Sequence, residues 1–462
     1  MTKKEFDLSL FIFNHDLRLD DNIGLINTMK ISKMVIPIYI FDSKIFDSKR
    51  NKNYNNNYVR FIIESLDSLT KQIKKKNNEN KIYYFYGEPI SIIKQLIWYF
   101  LEKGRPISNI SMNQYYTFDE NAILQDVLNT CLVEQKVLFT EYEDYIFFPI
   151  KSIYDSKRDP YTSFQAFYKK INKMKINKPI KNRHVNFYRG HIDIDSHKRV
   201  KDIHIYIYNK NKHNETPTGG REYAMQISQL LNPKTKQSYL SSYIIHGCIS
   251  IREAYYLFEK YKLKHLIKNL YIRDFHIRVS YFNNRVFFNK AINKTFNKLK
   301  FNLNEAKFSK WKEGKTGFPI IDAFMRQLKE TGYINNFGRI ITASFLIKYL
   351  YIDFVYGEQY FSCILCDYDN AINSNNWQDI FGCGYTPMKL TIFLNPMKYG
   401  KTYDPKCEFV KKWIPELKDI DNEKIHNWTV EHANVKSEYS KPMINLDEQE
   451  KKLNEIYSKF NS

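Results

Sequence analysis

Cysteine is scarce, at six in 462 residues. A fold held by disulfides needs a far higher density in a shorter chain. This one must rest on a buried core, and its thiols fit a reducing, intracellular compartment such as cytoplasm or nucleus, or packaging with DNA. No run of about 18 uncharged apolar residues occurs, so no transmembrane helix is predicted. The opening MTKKEFDLSLF enters a short apolar segment directly, without the longer apolar region and cleavage site of a signal peptide. The usual phosphate-binding signatures are missing too. GKT at 314–316 resembles the end of a phosphate loop, but the position that needs its upstream glycine holds Ser309. No G-x-G-x-x-G follows the first strand-like run. Cys363, Cys366, Cys383 and Cys407 are enough in number for an iron–sulfur cluster, but their spacing matches no metal pattern. They read as buried thiols, and no metal site is expected. Internal repeats are absent.

What is present is a large amount of core-forming material. Hydrophobic residues make up 43%, with 36 Tyr and 33 Phe. The length exceeds what a single core usually holds and predicts two domains. The formal net charge of +21 points to polyanionic partners, nucleic acid first. Lys, Asn and Ile are all abundant, so part of that charge reflects general composition, and charge alone does not decide the partner.

The first third alternates in character. Residues 8–13, 34–41, 81–87, 109–115 and 136–142 are short β-branched or aromatic runs. Helical patterns lie between them, including 58–73 and 89–101, the latter with Pro89 at its first position and Gly104 at its stop. Five strands separated by helices predict an α/β, doubly wound parallel sheet over 1–145. Residues 146–218 are rich in Lys, Arg and Asn with poor periodicity, and read as a basic, solvated interdomain connection. From 219 to 462 the pattern is all-α. The 319–332 stretch opens with Pro, closes with Gly, and repeats apolar residues at helical spacing.

Three clusters carry chemistry. Around Ser238 and Ser241, hydroxyls and small residues precede a helix, which suits phosphate. DYDNAINSNNW at 367–377 packs carboxylates and amides between apolar elements, an arrangement that is costly unless the groups are paired or hold a ligand. Arg339, inside an otherwise apolar helix, needs a counter-charge, and one of those aspartates would supply it. Trp311 and Trp377 are two of only five tryptophans.

Several segments in order, FIFNHDLRLDDNIGL (11–25), TGGREYAMQISQL (218–230), WKEGKTGFPIIDAFMRQLKETGYINNFGRIITASF (311–345), DYDNAINSNNW (367–377) and NPMKYGKTYDP (395–405), resemble the DNA photolyase/cryptochrome family along nearly the whole chain. The resemblance implies an antenna domain followed by a helical FAD-binding domain. It also implies light-driven splitting of cyclobutane pyrimidine dimers by electron transfer from reduced FAD, on a duplex whose dimer is flipped out by a monomeric enzyme with no membrane partner. By the same resemblance Ser238, Leu240 and Ser241 bind the FAD phosphates. Arg339 and Asp367 form an ion pair beside the flavin, Asp369 lies next to its ring, and Asn373 faces N5. Asn336 and Asn269 occupy active-site positions, and Arg273 is the expected DNA-phosphate contact. Glu120 matches an antenna contact for which methenyltetrahydrofolate is the first candidate.

The departures fall where function is decided. Ile272 and Asp379 replace the two tryptophans that wall the lesion pocket in dimer photolyases. Their stacking is worth about 1–3 kcal/mol per base. Of the electron-transfer tryptophans, Trp377 reads as the proximal and Trp311 as the surface member, with Phe354 in the middle position. Phenylalanine is much harder to oxidise, so photoreduction is expected to be poor unless a tyrosine such as Tyr351 or Tyr356 substitutes. A cryptochrome-like FAD photoreceptor or DNA-binding protein without repair activity is therefore the alternative.

Overall fold

The computed structural model describes residues 4–114, 116, 137–198, 213–288, 290–301 and 303–461. The chain forms two compact units, Met1–Lys210 with Thr218–Asn284, and Asn211–Pro217 with Arg285–Ser462. The expected division at 145 and 218 follows composition, whereas these units follow packing.

In the first unit, β1 (Phe6–Phe13), β2 (Ser32–Asp42), β3 (Tyr83–Gly87), β4 (Asn109–Asn113) and β5 (Leu138–Tyr142) form a parallel sheet in the order β5-β4-β1-β2-β3. These are the five runs read from the sequence. FDLSLFIF in β1 is buried almost throughout, as a parallel strand covered on both faces requires. Helices α1 (Ile23–Ile31), α2 (Asn56–Lys76) and α3 (Pro89–Glu102) make connections between strands. α3 starts on Pro89 and stops at Gly104, which takes a left-handed φ of +68°.

The stretch read as a solvated connection is not one. Ile171, Ile176, Phe187 and Ile192 are buried. Val35 of β2 exchanges backbone hydrogen bonds with Asn186 and Tyr188 (2.9 and 2.8 Å). The Asn186 amide donates to the Met29 and Ser32 carbonyls, and Asp21 accepts from the Ile180 N–H at 2.9 Å. His197 and Lys198 pair antiparallel with β3 as the edge strand β6. The anchors are single residues tied to side chains and carbonyls, so they leave no periodic trace in the sequence.

The helical segment 218–284 belongs to this unit because charges are buried across it. Arg18 donates to Asp144, to the Asp21 carbonyl (2.7 Å) and to the Gly247 carbonyl (3.0 Å). Arg252, on α4 (Ile251–Lys260), donates to Asp21 (2.9 Å) and Asp144 (2.5 Å). Gly247 is required there. Its φ is +65°, and a Cβ would lie 2.2 Å from the His15 carbonyl oxygen. Burial works against a charged Asp144, but the two guanidiniums outweigh it and hold the carboxyl below the usual carboxylate range. On α5 (Lys264–Phe282), buried Asp274 accepts from the Phe147 N–H and from Arg278 (2.8 and 2.5 Å).

The second unit is helical. α6 (Glu305–Glu313), α7 (Pro319–Thr331), α8 (Asn336–Lys348), α9 (Phe354–Ser362) and α10 (Asn370–Phe381) surround a core that includes Trp311, Phe318, Phe324, Phe345 and Trp377. α7 begins on Pro319 and ends at left-handed Gly332, as its sequence predicts. Gly338 lets α8 approach α7, since a Cβ there would meet the Phe324 ring at 2.5 Å. No helix among the described residues is long and apolar enough to cross a membrane.

Candidate functional site

The first turn of α8 places Arg339. Asn335 caps this helix by accepting from the Gly338 N–H, and its amide donates to the Tyr403 hydroxyl at 2.7 Å. Arg339 Nε donates to the Ile334 carbonyl at 3.0 Å, and Nη2 reaches both Asp367 oxygens at 2.8 and 2.7 Å. Asp367 lies in the turn before α10, where the Cys366 N–H is tied to the Gly332 carbonyl (2.9 Å) at the end of α7. Burial opposes the Arg339 charge, and Asp367 more than offsets it, so the guanidinium pKa is raised. The counter-charge expected for Arg339 is thus in place.

Two residues on, Asp369 caps α10 by accepting from the Ile372 N–H at 3.0 Å. One turn further, the Asn373 amide donates to Glu358 Oε1 at 3.0 Å. The same oxygen accepts from Tyr368 (3.1 Å) and Ser374 (3.3 Å). Burial, and Glu358 after it, drive the Tyr368 phenol far above its ordinary range. Glu358 is 2% exposed. It was missed in the sequence, although the test that singled out Arg339, a charge inside an apolar helical run, applies equally to FVYGEQYF.

The tryptophans need a correction. Trp377, on α10, is buried as its proximal position suggests, but Trp311 is 0% exposed and is no surface residue. Its Nε1–H donates to the Thr342 carbonyl at 3.1 Å, and its ring meets the edge of Trp377 at 6.4 Å. Phe354 stacks instead on Phe381 at 5.4 Å. Trp311 and Phe308 lie on one apolar face of α6, and the flanking lysines hide that face from a reading by local composition.

In the first unit, Ser238 Oγ accepts from the Leu240 N–H at 3.3 Å, across Tyr239 in a left-handed turn (φ +55°). Leu240 is buried, and Ser241 opens the helix Ser241–Ile245. On α5, Asn269, Ile272 and Arg273 follow at helical spacing. Asn269 is exposed and Ile272 half-buried. Arg273 is 8% exposed. Its Nη1 donates to the Tyr145 carbonyl (2.8 Å), its guanidinium lies 3.9 Å over the Tyr145 ring, and its Nε and Nη2 are buried without a partner among the described residues. A duplex phosphate needs an exposed guanidinium, so this geometry does not suit the DNA contact expected of Arg273. Asp379 is also engaged elsewhere. Its carboxylate accepts from the Thr386 N–H (2.8 Å) and hydroxyl and closes the 384–388 loop. Asn336 is exposed on the first turn of α8. Glu120 lies outside the described residues, which also contain no group of three or more His, Cys, Asp or Glu placed to bind a metal.

Comparison with known proteins agrees along the chain. Residues 9–184 match the DNA photolyase family model, and residues 266–459 match the FAD binding domain of DNA photolyase. A deoxyribodipyrimidine photo-lyase of Buchnera aphidicola subsp. Baizongia pistaciae is 30% identical over 96% of this chain and 97% of its own. A cryptochrome DASH of Danio rerio is 24% identical over 96% and 91%. The crystal structure of an archaeal photolyase from Sulfolobus tokodaii superposes with a TM-score of 0.85 at 30% identity, covering 98% of this chain and all of that one. With both family models matched along the chain and a relative 30% identical over nearly the whole of both chains, the chain belongs to the DNA photolyase/cryptochrome family.

Proposed function

We propose that the protein is a light-driven lyase that splits cyclobutane pyrimidine dimers in DNA with FAD as its working cofactor. The observation that carries this is the polar set held within an apolar helical unit, namely half-buried Arg339 paired with buried Asp367, Asp369 on the α10 cap, and Asn373 bonded to Glu358. Such groups are costly to bury unless they are paired or hold a ligand, and these stand at the positions that surround the flavin ring in the family. The residues also fit the phosphates of FAD. The Ser238 and Ser241 hydroxyls flank the left-handed turn at Tyr239 and suit an anionic ligand.

When bound, FAD supplies light absorption and the electron lent to the dimer. The chain's own residues hold and tune it. Ser238, Leu240 and Ser241 take the phosphates. Arg339 keeps a fixed positive charge beside the ring through Asp367. Asn373, oriented by Glu358, is assigned to N5. Asn336 and Asn269 offer exposed amides to the flipped dimer. One copy of the chain engages the duplex through its basic excess, so affinity falls steeply with salt. An antenna chromophore is assigned to the α/β unit, with methenyltetrahydrofolate at Glu120 as first candidate. The archaeal relative was crystallised with two FAD molecules and linked to a novel light-harvesting cofactor.

Arg273→Ala is expected to leave the salt dependence of duplex binding unchanged, because the guanidinium is held against Tyr145. A salt slope reduced by about one would return Arg273 to the DNA.

A cryptochrome-like FAD photoreceptor is the second reading. It is favoured by the half-buried aliphatic Ile272 and by the Asp379 carboxylate turned into its own loop, since neither offers an aromatic wall to a lesion. Repair of a dimer-containing oligonucleotide in light separates the two.

A further inference from the structure

We propose that Trp311 and Tyr360, bypassing Phe354, carry electrons toward the flavin during photoreduction, with Tyr360 as the terminal donor. The route rests on the reading that FAD binds beside Trp377. Trp377 meets Trp311 at 6.4 Å, and Trp311 meets Tyr360 at 5.6 Å. Phe361 packs against both tryptophans, at 6.1 and 5.1 Å, and fills the space between them. Every step therefore joins rings in contact.

The chemistry of each residue suits its place. Trp311 is fully buried, so a reductant in solution cannot reach it. Its indole N–H is bonded to the Thr342 carbonyl, which is no base. An oxidised Trp311 therefore keeps its proton and remains a strong oxidant. Tyr360 is half-buried, on the turn of α9 that faces α6, and its hydroxyl donates to the Lys312 carbonyl at 3.0 Å. It is the oxidisable ring in contact with Trp311 that also reaches solvent. The tyrosines named from the sequence are placed less well. Tyr351 lies tilted against Phe301 at 4.7 Å, and Tyr356 contacts Phe308 at 6.0 Å.

With bound, light-excited FAD as the acceptor, Trp377 would give up one electron and be refilled from Trp311, and Trp311 from Tyr360. Tyr360, which unlike Trp311 reaches solvent, turns its hydroxyl from the Lys312 carbonyl and gives the proton to water. The net change is one electron on the flavin, a neutral tyrosyl radical at position 360 and one proton released. A thiol reductant from solution then donates a hydrogen atom to the tyrosyl radical, and two thiyl products join as a disulfide.

The test uses the flavin-loaded full chain, expressed with ring-deuterated tyrosine, illuminated without oxygen or thiol and frozen for electron paramagnetic resonance. The expected result is a tyrosyl signal with the deuterium narrowing in the wild type. It is lost in Tyr360→Phe and in Trp311→Phe and kept in Tyr356→Phe, while all variants retain FAD absorbance. A tyrosyl signal that survives Tyr360→Phe, or a wild-type signal from tryptophan alone, overturns the route and leaves the FAD reading standing. A wild-type protein that binds no FAD overturns both.

Discussion

Asp367→Ala is expected to destabilise the helical unit by about 3–5 kcal/mol and to give protein that purifies without flavin colour. Asp367 is buried and accepts both bonds from Arg339 Nη2. Removing it leaves a largely buried guanidinium with one carbonyl partner, and an uncompensated charge costs far more than the ion pair contributes. Denaturant midpoints and the ratio of flavin to protein absorbance measure the two effects. The double variant Arg339→Met, Asp367→Leu separates them. It should recover stability, because an apolar pair of similar volume replaces the ions, yet remain colourless. A colourful double variant would show that the pair serves folding alone.

The second large effect is expected in the α/β unit. Asp144→Asn should cost about 3–5 kcal/mol, since Arg18 and Arg252 both lose their shared carboxylate in the interior. The pH dependence has a definite sign. The folded carboxyl is held below its unfolded value. Its stabilisation is therefore complete above the unfolded pKa of about 3.9 and is lost as pH falls through the lower folded value. The gap between wild type and variant should stay constant from neutrality to mild acid and close only in strong acid. A gap that closes between pH 7 and 5 would assign the effect to another group.

Much of this architecture is legible in the sequence, and the reason is periodicity. Buried parallel strands such as LSLFIF and MVIPIYIF are almost wholly apolar runs, and α3 and α7 carry Pro at the start and Gly at the stop. The need of Arg339 for an acidic partner was legible because a charge in an apolar helix demands one, and the resemblance singled out Asp367. Long-range geometry was not legible. The segment around 171–192 is pinned to β2 by isolated residues with no period. The resemblance makes Trp311 a surface residue, whereas its ring turns inward to Thr342 and Trp377. Arg273 and Asp379 look available as bare sequence positions, but their partners are Tyr145 and Thr386, more than a hundred residues away in one case and seven in the other.

Light-dependent repair of a thymine-dimer oligonucleotide, with the bound flavin chemically reduced beforehand, tests the central claim most directly. Prior reduction removes any dependence on the electron route through Trp311. The account predicts loss of the dimer in light and none in darkness, despite Ile272 and Asp379 at the pocket walls. Bound, reduced FAD with no dimer split under light would contradict it and leave the cryptochrome-like photoreceptor as the reading.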